Sequence, residues 1–163
     1  MKTKDITFGG IMVGLGIIIL YLTTIIPINT LSLLTLASCI IPICIIRSNI
    51  KTSILVYLGT SIISFFIIPI NYAVLYTCFF GIYGLIKFFI EKVNNIKLEI
   101  LLKFIFFNTL LFSIILLMSN IITNMFSNLP IYIIFLGAQL GFAIYDYVLT
   151  LIISLCIKKF KQI

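Results

Sequence analysis

Histidine is absent from this 163-residue chain, and acidic residues number four against eleven lysines and arginines. The commonest general base and metal ligand is therefore missing. The few carboxylates form no acidic cluster able to hold a metal–phosphate substrate, so no metal site and no cofactor are expected. The sequence contains no GxxxxGK[ST], no HExxH and no GxSxG. That excludes P-loop nucleotide hydrolysis, zinc-dependent proteolysis of the HExxH kind and a hydrolase nucleophile elbow. There is no CxxC pair. Cys39, Cys44, Cys78 and Cys156 all lie in apolar stretches and read as small apolar fillers. Enzymatic activity is not expected.

Charge itself is scarce. Charged residues make up 9% of the chain and hydrophobic residues 63%. A soluble domain of this size has too little interior to hide that much apolar surface, which makes lipid the expected solvent. In lipid the backbone must satisfy its own hydrogen bonds, which leaves helices or closed barrels. The apolar runs are continuous and far longer than a barrel strand, so helices are expected. Three stretches, 6–46, 52–86 and 104–145, contain no Asp, Glu, Lys or Arg. Each is about twice the roughly 20 residues needed to cross a bilayer. A charge-free stretch of double length reads as a helical hairpin, out and back.

Three hairpins predict an all-α integral membrane protein, a six-transmembrane-helix bundle in a single domain over residues 1–163. The expected spans are 6–26, 31–46, 52–68, 72–90, 98–123 and 131–157. Pro27, Asn29 and Thr30 mark the first outer turn, Pro69 and Asn71 the second, and 124–130 the third; proline and short polar residues favour turns. Pro42 is expected to kink the second span, and Pro130 suits a helix start. The net charge of +7 would suit nucleic acid, but the basic residues flank apolar spans. Lys2, Lys4, Arg47, Lys51, Lys92, Lys97, Lys158, Lys159 and Lys161 all fall at even-numbered crossings. The positive-inside rule places those ends, and both termini, in the cytoplasm. A multi-pass protein of an inner or plasma membrane follows, with the lipid bilayer as its surroundings and no nucleic-acid partner.

Ionisable groups within spans are costly and are functional candidates. Lys87 lies 15 residues after Tyr72, and Asp146 lies 15 after Ile131. At 1.5 Å per residue both sit about 22 Å below the outer end of their helices. Equal depth and opposite sign suggest an intramembrane ion pair. The competing reading has Lys87 snorkelling alone to the interface and Asp146 capped by hydroxyls. Tyr72, Tyr76, Phe80, Tyr83 and Lys87 recur in steps of three and four and share a helix face. Gln139 and Asp146 share another, and Ser32, Thr35 and Ser38 a third. These polar faces either line a common cavity or consist of an interfacial tyrosine belt and hydroxyls bonded to their own helices. Gly10 and Gly14, and Gly137 and Gly141, have the spacing that lets helices approach closely, within the chain or between subunits. Glu99 and Lys103 form an i,i+4 pair that reads as a solvated helix start.

One family resembles this pattern. The basic start Lys2–Lys4 precedes a helix whose Gly10 and Gly14 resemble an Ala-xxx-Ala motif. The segment Ile26-Pro27 through Leu31-Ser32-Leu33, then Ile41-Pro42-Ile43, resembles the passage from the first outer turn into span 2 of the substrate-binding S components of energy-coupling-factor (ECF) transporters. Phe79-Phe80-Gly81-Ile82-Tyr83-Gly84-Leu85-Ile86-Lys87 is similar to a glycine-aromatic fourth span in related small membrane proteins of Gram-positive bacteria. The chain departs from the family at Arg47-Ser48-Asn49-Ile50-Lys51, where many members have a Gly-Pro turn, and in its short first outer loop. The resemblance implies a membrane-embedded solute-binding subunit for vitamin-like nutrients. It would work with a transmembrane coupling subunit, met through Gly10 and Gly14, and with two ATPase subunits. It also implies a ligand site in the outer half near Asn71, Tyr76, Tyr132 and Gln139. The lack of charge there favours a small neutral or weakly polar ligand. A competing class is a membrane scaffold of the rod-shape-determining type, which needs packing faces but no cavity; an immunity or lipid-interacting protein is a third.

Overall fold

A computed structural model describes residues 3–93, 95–125 and 131–161. The described residues are almost all helical, with no strand among them. The helices are α1 (Thr3–Ile25), α2 (Thr30–Arg47), α3 (Ile50–Ile67), α4 (Ile70–Glu91), α5 (Ile96–Met125) and α6 (Ile131–Lys161). A single 3₁₀ turn, Pro27–Asn29, joins α1 to α2. Each expected span falls on one of these helices, with ends shifted by a few residues.

The breaks have local causes. Pro27 opens the 3₁₀ turn and has no N–H to continue α1. Ile68 is extended (φ −115°, ψ 159°) ahead of Pro69, as the clash between a proline ring and the preceding residue requires. Between α2 and α3 the Ser48 N–H closes α2 on the Cys44 carbonyl at 3.0 Å, and Asn49 is extended (φ −150°, ψ 157°) before α3. Asn49 Nδ2 donates to Asp5 Oδ2 at 3.3 Å, and the Arg47 guanidinium lies 4.8 Å from the centre of the Phe8 ring. The α2–α3 turn is thus tied to the start of α1.

Among the described residues, five helical stretches are long and apolar enough to cross a bilayer: Thr3–Ile25, Thr30–Arg47, Ile50–Ile67, Ile70–Glu91 and Phe135–Lys158. The remaining expected crossing, 98–123, lies within the 30-residue helix α5, whose side chains from residue 114 onward are outside the described set.

The chain forms two compact units. The first comprises residues 1–89 and 149–163. Within it α1, α2 and α3 pack on one another, and α2 and α3 pack on the middle of α4. Ile40, Cys44 and Val56 form a buried centre against which Phe8, Met12, Val13 and Ile19 rest. Lipid offers no hydrophobic gain for helix association, so close approach must supply it through dispersion and hydrogen bonds. Gly9 and Gly16 provide that approach: a Cβ on Gly16 would stand 2.8 Å from Thr60 Cγ2, and one on Gly9 3.0 Å from Thr52 Cγ2. The second unit, residues 90–148, joins α5 to the N-terminal part of α6. The Phe107 and Phe142 rings stack at 4.4 Å, and Phe104 meets Phe142 edge-on at 5.8 Å.

Candidate functional site

The middle of α4 departs from α-helical winding. Residues Tyr76–Gly81 form a π-helical turn between α-helical flanks. Such turns add a residue to one winding, displace backbone carbonyls and occur frequently at functional sites. In lipid a displaced carbonyl needs another donor. Two side chains serve here. Tyr57 on α3 donates its hydroxyl proton to the Thr77 carbonyl at 2.9 Å, and Thr77 Oγ1 donates to the Ala73 carbonyl at 2.8 Å. A Cβ on Gly81 would lie 2.9 Å from the Tyr57 ring and 3.0 Å from the Tyr76 carbonyl. One turn on, a Cβ on Gly84 would meet Pro42 Cδ at 3.0 Å. Glycine at both positions lets α4 seat against α3 and α2.

Facing this turn, α3 carries a buried row of hydroxyls: Ser53, Thr60, Ser61 and Ser64. Thr60 Oγ1 donates to the Val56 and Tyr57 carbonyls at 2.8 and 3.0 Å. It also lies 3.0 Å from the Tyr76 hydroxyl. A hydroxyl has one proton, and Thr60 spends its own on backbone, so Tyr76 is the donor in that contact. Ser64 donates to the Ser61 carbonyl at 2.7 Å and Ser53 to the Asn49 carbonyl at 3.1 Å. Ser61 is 4% exposed, and its hydroxyl neighbours that of Tyr57, one turn back on the same helix face.

Of the expected ligand residues, Tyr76 is buried at this turn, whereas Asn71, at the N-terminal start of α4, is exposed. Both belong to the first unit. Tyr132 and Gln139 belong to the second. Tyr132 is 70% exposed. Gln139 is half-buried and donates through Nε2 to Asn108 Oδ1 at 2.7 Å. The tyrosine face of α4 is interior, with Tyr76, Phe80, Tyr83 and Lys87 all buried and Tyr72 half-buried. Along α2, Thr35 and Ser38 donate to the Ser32 and Thr35 carbonyls of their own helix at 2.6 and 2.7 Å.

Lys87 is wholly buried, and its Nζ donates to Thr150 Oγ1 at 2.7 Å within the first unit. Asp146 lies in the second unit, where its Oδ2 accepts from Lys103 Nζ at 3.2 Å. Lys103 corrects one expectation. The Glu99–Lys103 pair forms, at 2.6 Å, but it is no solvated helix start: Lys103 is 5% exposed. Its ammonium also binds Glu91 and Asp146, each at 3.2 Å. Three carboxylates converge on one ammonium, and that geometry offsets the desolvation of the lysine. The available signal was its depth, a turn and a half inside an apolar span.

Gly10, Gly14, Gly137 and Gly141 all face open space, with nothing within 4 Å of a Cβ placed there. The glycines in close packing are Gly9, Gly16, Gly59, Gly81 and Gly84, which small-residue spacing did not identify. The hydroxyl row of α3 was also missed, although Ser53, Tyr57, Thr60, Ser61 and Ser64 recur at steps of three and four. Comparison with protein-family models, with curated proteins and with solved structures gives no match.

Proposed function

We propose that this chain is the membrane-embedded solute-binding subunit of an ECF-type nutrient uptake transporter in a bacterial plasma membrane. On this reading α5 supplies the sixth crossing, and both termini lie in the cytoplasm. The subunit captures a small neutral or weakly polar solute from outside and works with a transmembrane coupling subunit and two ATPases. One observation carries the reading: an uncharged, hydroxyl-rich interior where α3 meets the π turn of α4. In the six-crossing topology this region lies in the outer half of the membrane: Tyr76 is six residues, about 9 Å, from the outer start of α4. Neutral donors and acceptors set in apolar walls suit orientation of an uncharged solute.

The second reading is a membrane scaffold of the rod-shape-determining type. It is favoured by the own-helix bonding of Thr23, Ser38, Ser53 and Ser64, which serves packing without any ligand. Equilibrium dialysis of the detergent-purified protein against nicotinamide, pyridoxine, riboflavin and biotin separates the two, alongside mass spectrometry of co-purified small molecules. Saturable binding of one solute is expected. Uniform failure to bind, with no co-purified molecule, returns the scaffold.

A further inference from the structure

Cations gather at one end of the first unit. Gly9 of α1 packs on Thr52 of α3, and Gly16 on Thr60, so the two helices run parallel and begin at the same end. The α2–α3 turn lies there too: Asn49 donates to Asp5, and the Arg47 guanidinium sits over the Phe8 ring. Lys4, Arg47 and Lys51 are all exposed. Asp5 is the one acidic residue in the sequence of this unit, and three cations against one carboxylate leave this end with a net charge of +2. The Lys4 and Lys51 side chains make no hydrogen bond or ion pair among the described residues. An apolar stripe starts from the same end. Lys51, Leu55, Leu58 and Ile62 recur at steps of four, three and four and so share a face of α3. Leu55, Leu58 and Ile62 are 55%, 46% and 60% exposed. From Lys51 to Ile62 the helix rises about 16 Å, close to the roughly 15 Å of one leaflet's hydrocarbon.

We propose that this end of the first unit is a binding site for an anionic phospholipid. The phosphodiester sits among Lys4, Arg47 and Lys51, and an acyl chain lies along Leu55, Leu58 and Ile62. The charge requires an anion that the unit's own sequence does not supply. An acidic protein surface would meet the same charge, but not the leaflet-length apolar stripe that begins beside it. Arg47 gives the head group direction, because its planar fork matches two phosphate oxygens. Contact with Phe8 already restrains that side chain, so it has less freedom to lose on binding. The site requires that α1, α2 and α3 cross a bilayer, and it does not depend on the transport reading.

The test is binding of phosphatidylglycerol and of phosphatidylcholine to the purified chain in mixed micelles, read by native mass spectrometry. Lys4→Gln and Lys51→Gln each remove one cation of the site, and since neither side chain holds another part of the chain, Tm should stay at the wild-type value. Lys97→Gln is the control: it removes the same charge from an exposed lysine of the second unit. Wild type is expected to bind phosphatidylglycerol about tenfold or more tightly than phosphatidylcholine. Each site variant should weaken phosphatidylglycerol about fivefold and the double variant about 25-fold, with phosphatidylcholine unaffected and Lys97→Gln like wild type. Equal binding of the two lipids overturns the proposal and leaves the cations to an acidic protein surface. A loss in Lys97→Gln as large as that in Lys51→Gln also overturns it, because diffuse surface charge would then suffice. Inorganic phosphate is the soluble competitor: displacement of phosphatidylglycerol by it would assign the cations to a free anion, whereas retention of the lipid supports the membrane source.

Discussion

Lys103 shows how one residue can reverse its sequence reading. Its ammonium is almost wholly buried among Glu91, Glu99 and Asp146, whose side chains are between a fifth and a third exposed. Removing the lysine leaves three carboxylates facing one another. Lys103→Met is expected to cost about 2–4 kcal/mol, somewhat below the value for fully buried pairs because the acids reach solvent. The buried free thiols of Cys39 and Cys44 provide the measurement: a thiol-reactive dye reports unfolding on heating, and an unchanged midpoint would show the cluster to be energetically idle. Glycines divide in the same way. Gly84→Ala pushes a Cβ against the rigid Pro42 ring and is expected to destabilise by about 1–3 kcal/mol. Gly14→Ala meets open space and should leave stability unchanged or raise it by up to about 1 kcal/mol through helix propensity.

The π turn of α4 is the element on which the most local chemistry converges. Its backbone is held by the Tyr57 hydroxyl, and Gly81 makes room for the Tyr57 ring. Tyr57→Phe keeps the ring and deletes the donor, leaving the Thr77 carbonyl short of a partner. A loss of about 1–3 kcal/mol is expected, together with faster amide hydrogen exchange confined to residues near 73–82. Uniform change along α4, or none, would mean that the turn holds without this bond. Gly81→Ala should cost more, since one of the atoms its Cβ meets is backbone and cannot rotate away.

For the whole molecule, the proposed six-crossing topology makes a prediction of its own. In a background lacking the four native cysteines, Arg47→Cys and Val93→Cys should react with an impermeant maleimide only in inverted vesicles, and Asn71→Cys only from outside. Labelling of Arg47→Cys from outside would overturn the topology and the transport reading that depends on it. If the exposed Gly10 and Gly14 meet a coupling subunit, Gly14→Leu should abolish co-purification with it while Tm stays unchanged. A matching fall in Tm would place that glycine in the chain's own packing instead.

Hydropathy and charge alone gave the helices and their order, because a hydrocarbon slab excludes ions and requires about 20 apolar residues per crossing. Pro27 and Pro69 placed two of the breaks for an equally local reason, a missing N–H and a clash with the preceding residue. The interior was less legible. Gly10 and Gly14 have the same spacing signal as a packed pair, yet Gly9 and Gly16 make the contacts; lipid and protein interior are equally apolar, so composition does not say which face turns inward. Tyr76 was singled out by its position on α4, but its partner Thr60 is 16 residues away, and the Lys103–Asp146 pair spans 43. Which hydroxyls of α3 meet α4 was decided by tertiary packing, since a hydrogen bond between helices depends on their approach and rotation, which no local pattern records.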